Sequence, residues 1–289
     1  MLIVADSGST KCDWIIVKPN GERLETRTMG FNPFFHNAEL IESELSKNEL
    51  LMQFAGDQNH IRFYGAGASS EARNLILKDG LQRVFKNTSD IIVDHDLKGA
   101  AIATAYDDPG ITCILGTGSN SCYYDGKEVH EVVPALGYVL GDEGSGAYFG
   151  KILLSKYLYK KLPADLSKAL ETQYGVSKES IFDAVYNQPN PNVYLASFMK
   201  FARENHDHPF FKEMIYKGIS AFINIHVWCY ENFREVPVHF VGSIAYYFKD
   251  VLEEVAKNHR FIIGKIIRKP VVELADYYCE KLNLPIQHS

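Results

Sequence analysis

The chain has 289 residues, of which 46% are hydrophobic and 23% are charged, and its formal net charge at pH 7 is −6. This length suits one large or two medium-sized domains with real cores, and the negative charge argues against a nucleic-acid partner. No apolar run approaches the length of a membrane span, which argues against a membrane partner. The five cysteines form no Cys-x-x-Cys pair, and Met1 leads into a strand rather than a secretory leader, so we expect reduced thiols and a cytoplasmic location.

The first predicted element is a short buried strand that ends in an acid. Residues 2–5 are apolar, Asp6 follows them, and Gly8, Ser9 and Thr10 form a tight turn before a second apolar run. Glycine lets the backbone approach an anion closely, and successive N–H groups and hydroxyls can bind phosphate oxygens. Asp6 can hold Mg²⁺ through water molecules. The same residues also fit an ordinary hairpin with a Gly/Ser turn, and this stretch alone does not decide between the two interpretations.

Strands and helices then alternate through the first domain. We predict a strand near 26–28, a helix over 38–54, a strand over 61–64, a helix over 69–85 and a strand over 91–93. Asn32 stands directly before Pro33, which biases it away from helix. Its side-chain amide offers both a donor and an acceptor for sugar hydroxyls, and it equally fits an Asx turn leading into the next helix.

Two acids stand at the carboxyl end of the strand over 91–93. The order is Asp94, His95, Asp96, and an Ala-rich helix follows. A carboxylate at this point can cap the helix, or it can act as a general base that orients an alcohol and accepts its proton during phosphoryl transfer. We favour Asp96 as the base because it lies closer to the helix. Asp94, two residues earlier on the same predicted strand face, is the alternative, and His95 is interpreted as structural.

A second hairpin repeats the first. Breaking residues at 107–110 mark the predicted domain boundary, and the next apolar run meets the turn Gly116-Thr117-Gly118. Both hairpins end in a turn dipeptide, Asn-Gly in the first and Asp-Gly in the second. Two such units about a hundred residues apart indicate an internal duplication with two phosphate-binding turns.

Two acids lie among three glycines before a predicted helix over 147–161. Asp142 and Glu143 have Gly141, Gly144 and Gly146 around them. The glycines allow the acids to approach a ligand, and the start of a helix favours negative charge. The alternative is that one acid only caps the helix. The density of glycine beside the acids favours a ligand.

The remainder is mainly helical. We predict helices over 167–174, 178–186, 193–204 and 210–232, then a strand over 238–241, a last strand over 261–263 and a final helix over 271–282. Gly242 and Ser243 form the turn after the strand at 238–241. Glycine there lets a flat base lie against the backbone, or it serves only the packing of the strand on the next helix.

Together these motifs resemble the acetate and sugar kinase/Hsp70/actin superfamily. They occur in the superfamily's order along most of the chain, as Asp6–Lys11, Gly65–Gly67, His95–Asp96, Leu115–Asn120, Gly137–Gly146 and Val241–Ser243. Within the superfamily the chain looks like the branch of eukaryotic-type N-acetylglucosamine kinases and BadF-type ATPases. The resemblance implies an α/β protein with two ribonuclease H-like (actin-like ATPase) domains and a central nucleotide and substrate cleft. The expected domains are residues 1–108 with a C-terminal helix at about 268–289, and residues 109–267 with a helical insertion.

The same resemblance implies an ATP-dependent kinase that uses Mg²⁺ and phosphorylates a hydroxyl, C6 in our reading, of an amino sugar such as N-acetylglucosamine or glucosamine. It makes Asp96 the catalytic base in contact with the sugar and Asp6 the metal-organising acid. It assigns the nucleotide to Gly8, Ser9, Thr10, Lys11, Gly116, Thr117, Gly118, Ala196, Gly242 and Ser243. It assigns the sugar to Asn32, Ser119, Asn120, Gly137, Asp142 and Glu143.

One departure and two alternatives stay open. Leu136 stands where the N-acetylglucosamine kinases carry a Trp, so recognition of the N-acetyl group is undecided. A BadF-type ATPase that activates a partner enzyme would need two well-placed cysteines per chain to share an iron–sulfur cluster at a dimer interface. No cysteine lies near residues 141–146, which disfavours that role. A catalytically silent sugar or nucleotide sensor is the other alternative, and a homodimer is left open.

Overall fold

The computed structural model describes residues 1–8 and 10–286, which divide into two compact units. Unit 1 contains residues 1–108, residues 126–129 and the C-terminal segment from Lys269. Unit 2 contains residues 109–125 and 130–268. Ser9, one of the predicted phosphate-turn residues, lies outside the described residues. The predicted α/β class with two domains of one type is confirmed, because each unit is built on a five-stranded mixed sheet.

The sheet of unit 1 has the order β3-β2-β1-β4-β5. Its strands are β1 (Leu2–Ser7), β2 (Lys11–Val17), β3 (Arg23–Met29), β4 (His60–Gly65) and β5 (Asp90–His95). The hairpin strands β1, β2 and β3 pair antiparallel, whereas β4 and β5 add parallel on the other side of β1. The central β1 is almost entirely buried, which explains its continuous apolar run. The edge strand β3 alternates between exposed and half-buried positions and carries charged residues, as solvent-facing edges commonly do.

Five of the helices in the described part of the chain belong to unit 1. They are α1 (Ala38–Ser46), α2 (Glu49–Met52), α3 (Glu71–Val84), α4 (Asp96–Ala105) and α14 (Pro270–Lys281). The single helix predicted over 38–54 is two helices, because the Asn48 side chain accepts the Leu51 N–H at 3.0 Å and caps a new helix. Helix α14 packs on β1 and α4, and its Tyr278 hydroxyl is hydrogen-bonded to the Tyr64 hydroxyl.

The sheet of unit 2 repeats this plan in the order β10-β9-β6-β7-β8. Its strands are β6 (Gly110–Leu115), β7 (Ser119–Tyr124), β8 (Val129–His130), β9 (Val238–Val241) and β10 (Ile263–Ile267). Strands β6 and β7 form the antiparallel hairpin, and β9 and β10 add in parallel beside β6. The internal duplication predicted from the two hairpins is therefore confirmed at the level of strand order.

The last strand lies further along the chain than predicted. The prediction over 261–263 followed an apolar run, but Phe261 packs into the core against Phe240 before β10 begins. Strand β10 contains Gly264 and Lys265, which break its apolar pattern. A Cβ on Gly264 would lie 2.4 Å from the ring of His239, so only glycine fits beside that buried side chain.

The remaining nine helices described belong to unit 2. They are α5 (Gly137–Leu140), α6 (Gly146–Leu158), α7 (Ala164–Tyr174), α8 (Lys178–Tyr186), α9 (Pro191–Ser197), α10 (Met199–Glu204), α11 (Pro209–His226), α12 (Ser243–Tyr247) and α13 (Lys249–His259). The helix predicted over 210–232 ends at His226, where Trp228 N–H bonds to the Ile223 carbonyl five residues back and closes the helix. Within the described part of the chain, no helix is long and apolar enough to cross a membrane.

Candidate active site

Two acids lie opposite each other on the first hairpin. Asp6 of β1 is paired in register with Asp13 of β2, so their side chains project to the same face of the sheet. Burial, with the nearby charges of Asp96 and Asp13, raises the pKa of Asp6 to about 7. Negative charge is thus concentrated beside the first Gly turn, and a cation would be needed to hold these acids ionised together.

Three cations surround Asp13. Arg27 binds it through Nε and Nη2 at 2.9 and 2.8 Å, and the Nζ atoms of Lys11 and Lys269 each lie 3.2 Å away. Burial raises the pKa of the Asp13 carboxyl, but these cations outweigh it and hold the pKa below its ordinary value. The three cations offset the negative charge of Asp13, and Lys11 and Lys269 also act on Asp6, so an anion at the Gly8 turn would meet less repulsion than the acids alone would cause. The predicted nucleotide ligand Lys11 is therefore already ion-paired, although 49% of its side chain remains exposed.

The structure places the two candidate bases on different elements, Asp94 in β5 and Asp96 in α4. Asp96 is the first residue of α4, so the expectation that it shares a strand face with Asp94 is wrong. His95 caps the helix through Nδ1, which accepts the Leu97 N–H at 3.3 Å, and this agrees with its structural interpretation. Asp94 accepts the His95 N–H at 2.8 Å and lies 3.4 Å from Lys98 Nζ. Asp96, in contrast, faces Asp6 closely enough to raise its pKa.

Asp6 is an oxygen donor that fits Mg²⁺, with the charge of Asp96 close enough to act on it. Carboxylate oxygens are the hard ligands this ion prefers, and a cation would relieve the repulsion between the two acids. Among the described residues, no group of three His, Cys, Asp or Glu side chains could hold a metal ion. Such a sparse set suits an ion that keeps several waters and takes its other ligands from phosphate oxygens, as Mg²⁺ does.

Ser7 ties the first turn to the segment that carries Asn32. Its Oγ accepts the Phe31 N–H at 2.9 Å, and its carbonyl accepts the Ala66 N–H at 2.8 Å. The Ser7 side chain is fully buried, so its hydroxyl faces the protein interior rather than a ligand. The sequence analysis gave Ser7 no such role, because a hydroxyl in a Gly/Ser turn has no pattern that distinguishes ligand binding from an internal bond.

Asn32 adopts the Asx turn that was left open as an alternative. Its Oδ1 accepts the Phe34 N–H at 3.0 Å. Gly67 lies against this oxygen with φ +84, and a Cβ there would be 2.5 Å from Oδ1. Glycine at 67 is thus required by Asn32 and by the backbone conformation. The turn fixes the side chain and leaves its Nδ2 amide, which makes no hydrogen bond to the described residues, for a ligand.

The second turn is joined to the start of α6. The carbonyls of Gly116 and Thr117 accept the N–H groups of Gly146 and Ala147 at 2.8 and 3.0 Å. The Ser145 Oγ accepts the Tyr148 N–H at 3.1 Å and is the cap of this helix. Neither Asp142 nor Glu143 is therefore the helix cap, which removes the structural alternative for these acids.

Asp142 is held rigidly beside the second turn. It has φ +58, is 9% exposed and accepts the Ser119 N–H on Oδ1 at 3.3 Å. A Cβ on Gly118 would lie 2.9 Å from Asp142 Oδ2, so glycine there makes room for the acid. Burial, and then the charge of Glu143, raises the pKa of Asp142. The Ser119 Oγ also donates to the Glu143 carbonyl at 2.8 Å, so Ser119 supports both acids.

The other predicted sugar residues of unit 2 lie around this loop. Asn120 accepts the Ser121 N–H on Oδ1 at 2.8 Å and donates from Nδ2 to Glu131 at 3.2 Å. Gly137 begins α5 with φ +71, and no protein atom lies within 4 Å of the position of a Cβ. Leu136, at the position of the missing Trp, is 56% exposed.

Gly242 and Ala196, two of the predicted adenosine residues, both lie close to the second turn. A Cβ on Gly242 would lie 2.4 Å from the Leu115 carbonyl, and its φ is +118. Ser243 follows as the first residue of α12. Ala196 of α9 packs on Gly146, where an added Cβ would be 3.0 Å from the Ala196 Cβ. Gly242 thus allows a close approach to β6, and Ala196 packs on the start of α6, while the roles of all three residues in nucleotide binding remain predictions.

A buried histidine beside the acids was missed by the sequence analysis. His226 lay inside a longer predicted helix, but it ends α11, and its Nε2 is 3.9 Å from Glu143 Oε2. The distance along the chain between the two residues left no local signal that could have joined them.

Comparison with solved structures places the whole chain among kinases. It is similar over 98% of its length to a candidate N-acetylglucosamine kinase from Porphyromonas gingivalis, with 36% identity, a TM-score of 0.92 and 100% of that chain covered. A candidate N-acetylglucosamine kinase from Chromobacterium violaceum is 17% identical, with a TM-score of 0.70 and 96% and 98% of the two chains covered. A ROK-family glucokinase from Streptomyces griseus, solved with glucose and AMPPNP, is 16% identical, with a TM-score of 0.55 and 95% and 98% covered. The last two show a shared fold alone. No protein-family model and no curated protein sequence matches the chain.

Two sheets of one topology, each with a Gly turn between its hairpin strands, fit the actin-like fold. The similarity to a candidate sugar kinase over 98% of the chain places the protein in the sugar-kinase class of this fold, phosphotransferases with an alcohol group as acceptor. The chain belongs to the same family as the Porphyromonas gingivalis protein, which it matches from end to end.

Proposed function

We propose that this protein is an ATP-dependent amino-sugar kinase that transfers the γ-phosphate to the C6 hydroxyl of N-acetylglucosamine, glucosamine or a close relative. The support for the sugar class is the 36% identity over 98% of the chain to a candidate N-acetylglucosamine kinase. The support for ATP is the fold shared with a glucokinase that was solved with AMPPNP.

The observation that carries the proposal is the placement of Asp96. It stands at the start of α4 with Asp6 as its acidic neighbour, whereas Asp94 is bound to Lys98. In phosphoryl transfer to an alcohol, a fixed carboxylate orients the hydroxyl and accepts its proton. We therefore assign Asp96 as the general base.

Asn32, Asp142 and Asn120 are proposed to bind the sugar. The Asx turn holds the Asn32 amide, and the bond from Ser119 holds the Asp142 carboxylate. Fixed donors and acceptors of this kind discriminate strongly against sugars that lack the matching hydroxyl, since the polar groups would then remain unpaired. Ser119, Gly137 and Glu143 complete the proposed sugar set.

The two Gly turns are proposed to bind the phosphates. A Cβ on Gly8 or Gly116 would make only an ordinary van der Waals contact, with the nearest atoms 3.7 and 3.9 Å away, so the backbone there is not crowded and a phosphate oxygen can approach it. Asp6, with Asp96 nearby, would hold Mg²⁺ through waters, and the ion would neutralise charge on the transferred phosphate. Gly242, Ser243 and Ala196 are proposed to border the adenosine.

The test is ADP release from Mg·ATP with glucosamine, N-acetylglucosamine, N-acetylmannosamine, N-acetylmuramic acid and glucose. We expect turnover with an amino sugar, and phosphorus NMR of the product should place the phosphate on C6. Asp96→Asn should lower kcat by about 10²- to 10⁴-fold, the usual contribution of a general base. Asp94→Asn is the matched control and should retain most of the activity, because Asp94 is engaged with Lys98.

Absence of sugar-stimulated turnover across this panel would reject the amino-sugar kinase. Equal loss in both Asp variants would reject the assignment of the base. The BadF-type alternative is disfavoured by the thiols, since Cys12, Cys113, Cys122 and Cys279 are buried and only Cys229 is half-buried. A chain that shares a cluster across an interface would need two accessible cysteines. Purified protein should accordingly be colourless.

A further inference from the structure

The side chain of His226 is buried at the end of α11 in a position that packing alone does not explain. It is 4% exposed and stacks on Phe222 with 4.8 Å between ring centroids. Its carbonyl accepts a bond from the Ser121 Oγ at 2.6 Å. A second phenylalanine would satisfy the stacking, yet the position holds a ring with two polar nitrogens.

Neither nitrogen has a complete hydrogen bond within the described residues. Nδ1 is buried without a partner, and Nε2 lies 3.9 Å from Glu143 Oε2. A buried polar atom without a hydrogen-bond partner destabilises the fold, so a residue that keeps one commonly has another role. Because burial lowers the pKa of His226, the neutral ring has one N–H to donate, and the only nearby carboxylate in the described contacts of the ring is Glu143.

The backbone of the acidic loop is fixed against the same helix. Gly144 has φ +70 and lies against Phe222 and the Gly218 carbonyl, where a Cβ would be 3.1 and 3.3 Å from them. The Glu143 carbonyl is bound by the Ser119 Oγ. The main chain of Glu143 is thus held at both sides, while its carboxylate has the neutral His226 ring as its neighbour and is 21% exposed.

We propose that His226 is a positioning residue for Glu143: its Nε2–H orients the Glu143 carboxylate so that the carboxylate accepts a hydrogen bond from a sugar hydroxyl. The separation of 3.9 Å is too long for a direct bond, and such bonds are commonly long without a ligand and shorten in the substrate complex. A water molecule on Nδ1 would satisfy the second nitrogen. This inference rests on the proposed sugar-kinase function and adds to it a residue that makes no contact with the sugar.

The test compares three substitutions of His226. Two place a side-chain amide at different points, and the third has no amide. His226→Gln puts an amide near the position of Nε2, His226→Asn puts one near Nδ1, and His226→Phe keeps the stacking on Phe222 without any donor. We expect His226→Phe and His226→Asn to raise the KM for the sugar about tenfold, the effect of one hydrogen bond of ordinary strength. The KM for ATP and the melting temperature should stay near the wild-type values, and His226→Gln should restore most of the sugar affinity.

A double-mutant cycle with Glu143→Gln decides whether His226 acts through Glu143. In that background His226→Phe should have little further effect on the sugar KM, because the two residues form one unit. Additive effects, or equal KM values for the Phe, Gln and wild-type proteins, would overturn the proposal. Should His226→Phe fail to fold, the difference between the Gln and Asn variants gives the same answer. Failure of the proposed function is distinguishable, since the wild-type protein itself would then phosphorylate no sugar on the panel.

Discussion

The two hairpins have the same strand plan but support different chemistry. In unit 1 the turn after β1 adjoins an acid, Asp6, and the three cations that surround Asp13. In unit 2 strand β6 ends in Cys113-Ile114-Leu115 without an acid, and the carbonyls of its turn bind the start of α6. The acid beside that turn, Asp142, comes from a loop more than twenty residues further along the chain. One hydrogen bond, from the Ser119 N–H, joins it to the turn.

The comparison shows that duplication preserved the backbone and not the sites. Strand order and pairing are the same in both sheets because they follow from buried apolar strands and short hairpins. Gly8 in the first turn has no close contact at the position of a Cβ, and charged side chains lie nearby, which suits a metal and a phosphate. The second is packed on a helix, and its residues position two acids.

Among the predictions that test this comparison, the largest expected effect comes from removing the charge of Asp6 beside the first turn. Asp6→Asn should lower kcat/KM at least about 100-fold, because the amide is a poor ligand for Mg²⁺. The melting temperature should not fall, since the raised pKa of Asp6 shows that the fold does not stabilise its ionised form. Activity assays across a Mg²⁺ titration, with thermal melts alongside, check both. A stable variant with full activity would remove Asp6 from the metal site.

A pH-dependent contribution to stability is expected from the sheet of unit 2. His239 on β9 accepts the Lys265 N–H on Nδ1 at 2.9 Å, and burial, with the charge of Lys265, lowers its pKa to about 4. The unfolded chain, with an ordinary His pKa near 6.5, binds the proton first. The stabilisation is therefore complete above about pH 6.5 and is lost as the pH falls towards 4, by about 2 kcal/mol after allowance for solvent screening.

His239→Asn keeps an acceptor near the position of Nδ1 and cannot titrate in this range. Its unfolding free energy should therefore change less between pH 7 and pH 4 than that of the wild-type protein. Parallel urea denaturation curves at the two pH values make the comparison. Identical pH dependence in both proteins would show that His239 is not responsible.

The glycines of the two turns should respond differently to alanine. In Gly118→Ala the new methyl group would meet Asp142 at 2.9 Å, whereas in Gly8→Ala the nearest atom is 3.7 Å away. We expect Gly118→Ala to lose about 1–3 kcal/mol of stability, the usual range for overpacking, and to weaken sugar binding through Asp142. Gly8→Ala should melt near the wild-type temperature. Equal melting temperatures for the two variants would contradict the view that Gly118, unlike Gly8, is packed against a neighbouring side chain.

The smallest effect is expected at α6, the helix whose first N–H groups are bound by the carbonyls of the second turn. Ser145→Ala removes the cap of α6 and should cost about 1 kcal/mol. Thr172→Ala, on the exposed face of α7, is a suitable control for the loss of a hydroxyl. Chemical denaturation of the two variants measures the difference, and no loss in Ser145→Ala would mean that the contacts with Gly116 and Thr117 suffice to hold the helix.

Elements that depend on local pattern could be predicted, and those that depend on distant partners could not. The strands, both Gly turns and most helices follow from apolar runs, glycine and capping residues. Asp96 could be favoured over Asp94 only by its position, and the ion pair of Asp94 with Lys98 was visible only in the structure. The roles of Ser7 and His226 depend on Phe31 and Glu143, which lie far away along the chain.

The position of α14 also has a consequence for the order of folding during synthesis. The helix is formed by residues 270–281, yet it packs on β1 at the other end of the chain. Unit 1 therefore has a high contact order, and its first strand stays without this cover until the ribosome has made the last part of the chain. Unit 2 lies wholly before that point, so its core can form first. A chain shortened before Lys269 would lose the helix that covers β1, which is a hazard for aggregation, and it would also lose one of the three cations beside Asp13.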